Sequence, residues 1–178
     1  MTNKFYLIRC AAMLFDTHLF VGVDPCGGRK PFTYAAVDKN GRLVSLQEGE
    51  IDDVLAFLGG LQSALVGINA PPRPNQGLVR QENIRQNLLP LRTSGRSLEM
   101  RLAEHLLRER GINVAMTPSK RELCTNWAQL GFEFYRRIEA LGYYPGPAEN
   151  MEHLWIETQP HATFCGITKL NIHNQPYN

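Results

Sequence analysis

The sequence lacks any apolar run approaching the roughly 20 residues that a membrane-spanning helix needs. Its N-terminal apolar stretch, residues 5–15, is interrupted by Arg9 and followed by Asp16 and His18. No strongly basic segment precedes that stretch, so it does not match a secretory signal. We therefore expect a cytoplasmic protein without a membrane partner.

Cysteine is also scarce. The four cysteines, Cys10, Cys26, Cys124 and Cys165, are too far apart for a CxxC or CxxxC metal pair. A chain of 178 residues with 43% apolar content can bury a core without disulfide support. These counts predict reduced thiols in a reducing compartment.

No large excess of charge is present, since the net charge of +2 identifies no class of partner. The distribution is uneven, because residues 73–121 contain ten Arg or Lys against four Glu. A basic segment of this kind is typical of a surface that contacts phosphates or nucleic acid. It is equally typical of a solvated helix face carrying pairs such as Glu104 and Arg108.

Two short apolar runs each end in a small polar side chain. Residues 19–24 end in Asp24 and residues 65–69 end in Asn69, and prolines bound both runs. Their length and β-branched content predict buried strands. If the two strands are parallel neighbours, Asp24 and Asn69 both lie at the carboxyl edge, where α/β sheets bind their ligands.

The segments between these strands predict a hairpin and a crossover. Residues 32–37 and 42–46 flank an Asn-Gly turn, which is a strong hairpin signal. Apolar residues at helical spacing then predict a helix over 51–58. A right-handed crossover would return the chain parallel to the first strand, which gives the strand order 3-2-1-4.

The second half of the sequence is mainly helical, and we expect residues 73–142 to form a helical insertion. Ser97 has the character of an N-cap for one of these helices, and a fifth strand follows the insertion. The predicted elements are helices over 81–89, 97–110 and 126–141, a strand over 154–157 and a short helix over 161–166. The aromatic residues Trp127, Phe132 and Phe134 are expected in the core.

Four segments carry a family resemblance through their order and spacing. They are Phe20-Val21-Gly22-Val23-Asp24; Val66-Gly67-Ile68-Asn69-Ala70-Pro71; the Arg96/Arg101/Glu104 helix entering Gly111-Ile112 and Thr117-Pro118-Ser119; and Ile156-Glu157-Thr158-Gln159-Pro160-His161. The sequence here resembles the predicted nucleases of domain of unknown function 429. The match covers roughly residues 20–167, so we expect an N-terminal extension over 1–18 and a single domain over 19–178.

The resemblance implies a ribonuclease H-like fold. That fold is α/β, with a mixed five-stranded sheet of order 3-2-1-4-5 flanked by helices, which agrees with the order derived above for four strands. It also implies acidic side chains at the strand ends that hold Mg²⁺ or Mn²⁺. By position, Asp24 matches the first family acid and Glu157 matches a later one.

The sequence departs from the family pattern in two places. Asn69 stands where the family commonly has Asp, and an amide oxygen brings no negative charge to a metal. Relatives continue into a further helix that carries another acid, whereas this sequence ends at Asn178. Either the chain is short or a C-terminal part is missing, and the set of acids is incomplete in both cases.

The leading hypothesis is a divalent-metal-dependent phosphodiester hydrolase acting on nucleic acid or another phosphodiester. Asp24, Asn69 and Glu157 would be the catalytic metal ligands for Mg²⁺ or Mn²⁺. Substrate phosphates would contact side chains from the loop after the fourth strand and from the last short helix. These substrate-binding candidates are Arg73, Arg80, Arg85 and His161.

Each of these residues also has a structural interpretation. Asp24 could cap a strand end by accepting loop amides, and Asn69 could form a turn. Glu157 could pair with an arginine of the basic segment, and His161 could pack at a helix terminus.

Two alternative functions remain open from the sequence. One is a non-catalytic nucleic-acid or protein interaction module on the same fold, which the Asn69 departure favours. The other is nucleotide binding of the sugar-kinase and actin type, although 178 residues leave no room for its second domain. The sequence does not specify an oligomeric state.

Overall fold

Six strands form one mixed sheet. A computed structural model describes residues 18–28, 30–87, 95, 97–148 and 152–168. The strands are β1 (Leu19–Asp24), β2 (Phe32–Val37), β3 (Leu43–Gly49), β4 (Ala64–Ile68), β5 (Tyr144–Pro145) and β6 (His153–Glu157). Their order in the sheet is β3-β2-β1-β4-β6-β5. The predicted α/β class and the order of the five anticipated strands are confirmed. The predicted strand count is wrong, because the two-residue strand β5 adds to the edge beside β6.

The first half of the chain follows its local sequence signals. The side chain of Asp38 accepts hydrogen bonds from the backbone N–H groups of Asn40 and Arg42, at 2.8 and 2.9 Å, and so closes the β2–β3 hairpin. Gly41 has a φ of 76°, a conformation that favours glycine. Helix α1 (Ile51–Gly59) then returns the chain, and β4 runs parallel to β1 as predicted.

The second half contains four helices, and the largest departure from prediction is at the start of the helix expected from Ser97. They are α2 (Glu82–Asn87), α3 (Leu102–Glu109), α4 (Asn126–Ala140) and α5 (Pro160–Thr168). The helix expected from Ser97 begins at Leu102, because Ser97–Glu99 form a 3-10 turn and Arg101 is extended. Residues 88 and 89, included in the predicted helix over 81–89, lie outside the described residues.

The main core lies on one face of the sheet, beneath α1 and α4. Alternating side chains of β1 and β4 are buried there, and Phe134 and Ile138 of α4 pack on them. Phe134 is in this core as expected, whereas Phe132 packs in a smaller cluster with Cys124 and Ala128. The other face is more open, since Phe20 of β1 is 41% exposed.

The helical insertion has its own buried polar residue. Glu104 of α3 is only 3% exposed, and its carboxylate accepts hydrogen bonds from the backbone N–H and the hydroxyl of Thr117. Arg108 instead donates to the carbonyl oxygen of Val114. The expected solvated pair of Glu104 and Arg108 is therefore wrong, because Glu104 anchors the loop that follows its helix.

The described cysteines form no disulfide. Cys26, Cys124 and Cys165 carry free thiols, and Cys10 lies outside the described residues.

Within the described ranges, no helix combines the length and the apolar character that a membrane crossing requires.

Candidate functional site

The structure brings Asp24 and Asn69 together at the carboxyl edge of the sheet. Val23 and Ile68 are register partners in the parallel pair β1–β4, so the residues that follow them are neighbours. The side-chain amide of Asn69 donates a hydrogen bond from Nδ2 to Oδ2 of Asp24, at 3.1 Å. A carboxylate and an amide from distant parts of the sequence thus form one polar pair.

The other oxygen of Asp24 has a structural partner. Its Oδ1 accepts a hydrogen bond from the backbone N–H of Cys26 at 2.9 Å. Cys26 has a φ of 53°, which is uncommon for a residue with a side chain. The structural interpretation of Asp24 is therefore realised, and it leaves the carboxylate half-buried at the sheet edge beside Asn69.

Helix α4 closes over this edge through close backbone contacts. A Cβ atom built at Gly131 would lie 2.5 Å from the Cβ of Ala70, so only glycine allows this approach. Tyr135 donates a hydrogen bond from its hydroxyl to the carbonyl oxygen of Ala70 at 3.1 Å. Trp127 donates from Nε1 to the carbonyl oxygen of Asn69 at 2.7 Å. These contacts fix the backbone that carries Asn69.

A cleft of about 330 Å³ lies beside Asn69. Residues from the sheet edge, from the loop after α3, from α4 and from the start of α5 line it. They are Asn69, Ala115, Trp127, Gln159, Pro160 and His161. His161 is therefore placed at the cleft, as the sequence hypothesis requires, and its Nε2 lies 3.8 Å from the thiol of Cys165.

Glu157 is not brought together with Asp24. In the sheet, Glu157 of β6 is the register partner of Ile68 in β4. Ile68 is in turn the register partner of Val23 in β1. Glu157 therefore shares a sheet face with these two buried residues. Successive side chains of a strand alternate between faces. Asp24, the last residue of β1, therefore lies on the opposite face from Glu157.

The carboxylate of Glu157 is held by Arg101. Arg101 donates to Oε1 of Glu157 at 2.7 Å and makes a second hydrogen bond to Oε2. Burial opposes the charge on Arg101, but the hydrogen bonds and charge of Glu157, together with the charge of Glu104, outweigh it and raise the pKa of Arg101. The structural interpretation of Glu157, a pair with an arginine of the basic segment, is what the structure shows.

Arg101 links the sheet to the helical insertion. Its Nη1 lies 3.7 Å from Oε1 of Glu104. The carboxylate of Glu104 in turn accepts a hydrogen bond from the hydroxyl of Thr117. The chain of contacts runs from β6 through α3 to the loop that carries Ala115 into the cleft. The sequence analysis allowed for the pair of Glu157 with an arginine but missed its continuation to Glu104 and Thr117, although Glu104 at the third position of α3 is a helix-start signal.

The three candidate arginines do not line the cleft. Arg80 pairs with Glu99, and Arg85 pairs with Glu82, in both cases within the insertion. Arg73 lies at a different pocket, of about 270 Å³, which Trp155 also lines. Gln159, which sequence reasoning did not single out, is at the cleft instead.

The donor set at the edge fits one hard cation better than two. Mg²⁺ binds through one or two carboxylates and keeps several waters. Asp24 and Asn69 supply one carboxylate and one amide, and Glu157 is committed to Arg101. In the part of the chain that the structure describes, no cluster of three or more His, Cys, Asp or Glu side chains is suited to a metal ion.

Comparison of the chain with known proteins gives no further guide to this site, because neither a protein-family model nor a curated protein sequence matches it.

Proposed function

We propose that this chain is a divalent-metal-dependent phosphodiester hydrolase of the ribonuclease H-like type, centred on Asp24 and Asn69. One observation carries the proposal. These side chains lie within hydrogen-bond distance at the carboxyl edge of two parallel strands, and Asn69 lines a cleft of about 330 Å³. Ligands of open α/β sheets bind at this kind of edge.

The residues of the site have different proposed roles, in metal binding and in substrate contact. Asp24 would supply the negative charge that attracts a single Mg²⁺ or Mn²⁺ ion. Asn69 would supply a neutral oxygen donor once its amide turns from the hydrogen bond that Nδ2 makes to Asp24. Such an ion, when bound, polarises a phosphoryl oxygen and activates water. His161 lies at the same cleft, where an imidazole nitrogen can donate or accept a hydrogen bond to substrate.

Glu157 is a positioning residue in this proposal. By holding Arg101, it fixes α3, and through Glu104 and Thr117 it fixes the loop on the far wall of the cleft. Glu157 therefore contributes to the shape of the site and not to the negative charge that attracts the metal ion.

The proposal is tested by metal-dependent stability and by cleavage of a fluorescently labelled oligonucleotide. Mg²⁺ or Mn²⁺ should raise the Tm with concentration, because a ligand that binds only the native state stabilises it. The variant Asp24→Asn should lose this shift and at least about tenfold of the cleavage rate, since even residues outside the coordination shell cost that much.

The matched control is Asp52→Asn. Asp52 is an exposed residue of α1 that pairs with Arg137, remote from the cleft. Its variant should keep both the metal shift and the cleavage rate. Equal loss in both variants, or no metal shift in the wild type at millimolar concentration, contradicts the proposal.

A second candidate function is a non-catalytic nucleic-acid or protein interaction module. The pairing of Glu157 with Arg101 favours it, because Asp24 is then the one candidate carboxylate left at the edge. Such a module should bind a labelled single-stranded oligonucleotide in EDTA without cleaving it. Its affinity should fall steeply as the salt concentration rises.

A further inference from the structure

Trp127 gives the cleft a rigid aromatic wall. Its indole N–H donates to the carbonyl oxygen of Asn69 at 2.7 Å, which ties the ring to the strand end. The ring also packs against the main core while it lines the cleft. A fixed aromatic ring beside a phosphodiester site is a stacking surface for a base, because every nucleobase has a π face.

Gln159 lines the same cleft. Among the described residues, its side chain makes no hydrogen bond, although its backbone carbonyl accepts one from the N–H of Thr163 at 2.9 Å. A side-chain amide offers two donor hydrogens and one acceptor oxygen. That pattern is suited to the edge of a base, which presents donors and acceptors side by side.

The size of the cleft limits what can enter. A volume of about 330 Å³ is at the lower end of small-molecule pockets, which span about 300–1,000 Å³. Ala115 and Pro160 line it with compact apolar surface. A base paired within a duplex would have to leave its stack to reach Trp127, at a cost of a few kcal/mol.

We infer that the cleft binds an unpaired nucleobase, stacked on Trp127 and hydrogen-bonded by Gln159. The substrate class is then single-stranded nucleic acid or a free nucleotide. This inference rests on the proposed function for its phosphodiester, but the base contact itself needs no metal ion.

Trp127 fluorescence measures the contact directly. The sequence has two tryptophans, so Trp155→Phe leaves Trp127 as the single source of tryptophan fluorescence. The indole N–H of Trp155 has no hydrogen-bond partner in the described structure, so this change breaks no hydrogen bond there. In EDTA, nucleoside monophosphates should quench Trp127 saturably, whereas ribose 5-phosphate, which lacks a base, should not. A single-stranded oligonucleotide that binds more tightly than the monophosphates identifies the polymer as the ligand.

Gln159→Ala should weaken the binding about three- to tenfold, the loss expected for one or two hydrogen bonds. The matched control Gln62→Ala changes an exposed glutamine before β4 and should leave binding unchanged. Equilibrium dialysis with the wild-type chain repeats the comparison if the Trp155→Phe variant does not fold.

Equal binding of ribose 5-phosphate and the nucleotides overturns the inference, as does an unchanged affinity in Gln159→Ala. These results are separate from those that test catalysis. Saturable base binding without cleavage or metal stabilisation would support the cleft and reject the hydrolase. Cleavage without base discrimination would support the hydrolase and reject the base-binding cleft.

Discussion

At the scale of single residues, His105 is an unusual member of the core. It is fully buried in α3, and neither ring nitrogen has a hydrogen-bond partner in the described structure. A neutral imidazole always carries one N–H donor. A buried donor without a partner costs about 1–3 kcal/mol.

We therefore expect His105→Leu to raise the free energy of unfolding by about 1 kcal/mol, because the apolar side chain fills similar space without an unpaired donor. Urea denaturation measures this change. The control is His153→Leu, which should lower stability, since His153 Nε2 lies 3.0 Å from the carbonyl oxygen of Leu61. A stability loss in His105→Leu would show that its imidazole has a partner that this geometry does not reveal.

Glu157 illustrates what a residue's sequence context does not specify. The pattern around it correctly predicted a strand, and the strand lies beside β4. Which face the side chain occupies depends on register, and a shift of one residue moves every side chain to the other face. Register between β4 and β6 is set by packing across more than 80 residues of sequence, so Asp24 and Asn69 were predictable neighbours while Glu157 was not.

At the scale of secondary-structure elements, the first half of the fold could be predicted well. The hairpin, α1 and the parallel return of β4 all have local signals, namely an Asn-Gly turn, helical spacing and a short connection. The insertion was harder, because the start of α3 at Leu102 is set by the tertiary contacts of Arg101 and Glu104. Propensity alone favoured an earlier start at Ser97.

Tyr143 connects two elements and makes their packing sensitive to pH. It follows α4, is 1% exposed and donates its hydroxyl proton to the carbonyl oxygen of Leu58 in α1 at 3.0 Å. Burial raises the pKa of Tyr143 to about 12, from an ordinary value of 10.0. The folded state therefore holds this proton more tightly than the unfolded state does.

The sign of the pH effect follows from that difference. Because the pKa of Tyr143 is higher in the folded state, its stabilisation is complete below pH 10 and is lost as the pH rises towards about 12. Tyr143→Phe should lower stability by about 1 kcal/mol at neutral pH and should lose less stability than the wild type over that alkaline range. Chemical denaturation at several pH values measures both effects, and parallel pH profiles for the two proteins would contradict the assignment.

At the scale of the whole molecule, two parts meet at the carboxyl edge of one sheet. The strands supply Asp24 and Asn69, while the insertion supplies the far wall of the cleft. The partly buried pair of Arg101 and Glu157, whose side chains are 14% and 19% exposed, joins these parts. Removing one partner of a fully buried ion pair typically costs about 3–5 kcal/mol, because the remaining charge is left unpaired, and a partly buried pair costs less.

Glu157→Gln should therefore lower the free energy of unfolding by a few kcal/mol without metal, and amide hydrogen exchange in α3 should accelerate. The rise in Tm caused by Mg²⁺ or Mn²⁺ should persist in this variant, since Glu157 lies on the other sheet face from Asp24. Asp24→Asn should show the opposite behaviour, with no metal shift and a smaller loss of stability, since Asn can still accept from the backbone N–H of Cys26. Loss of the metal shift in Glu157→Gln, with stability intact, would instead return Glu157 to the ligand set and replace the single-cation site with a shared one.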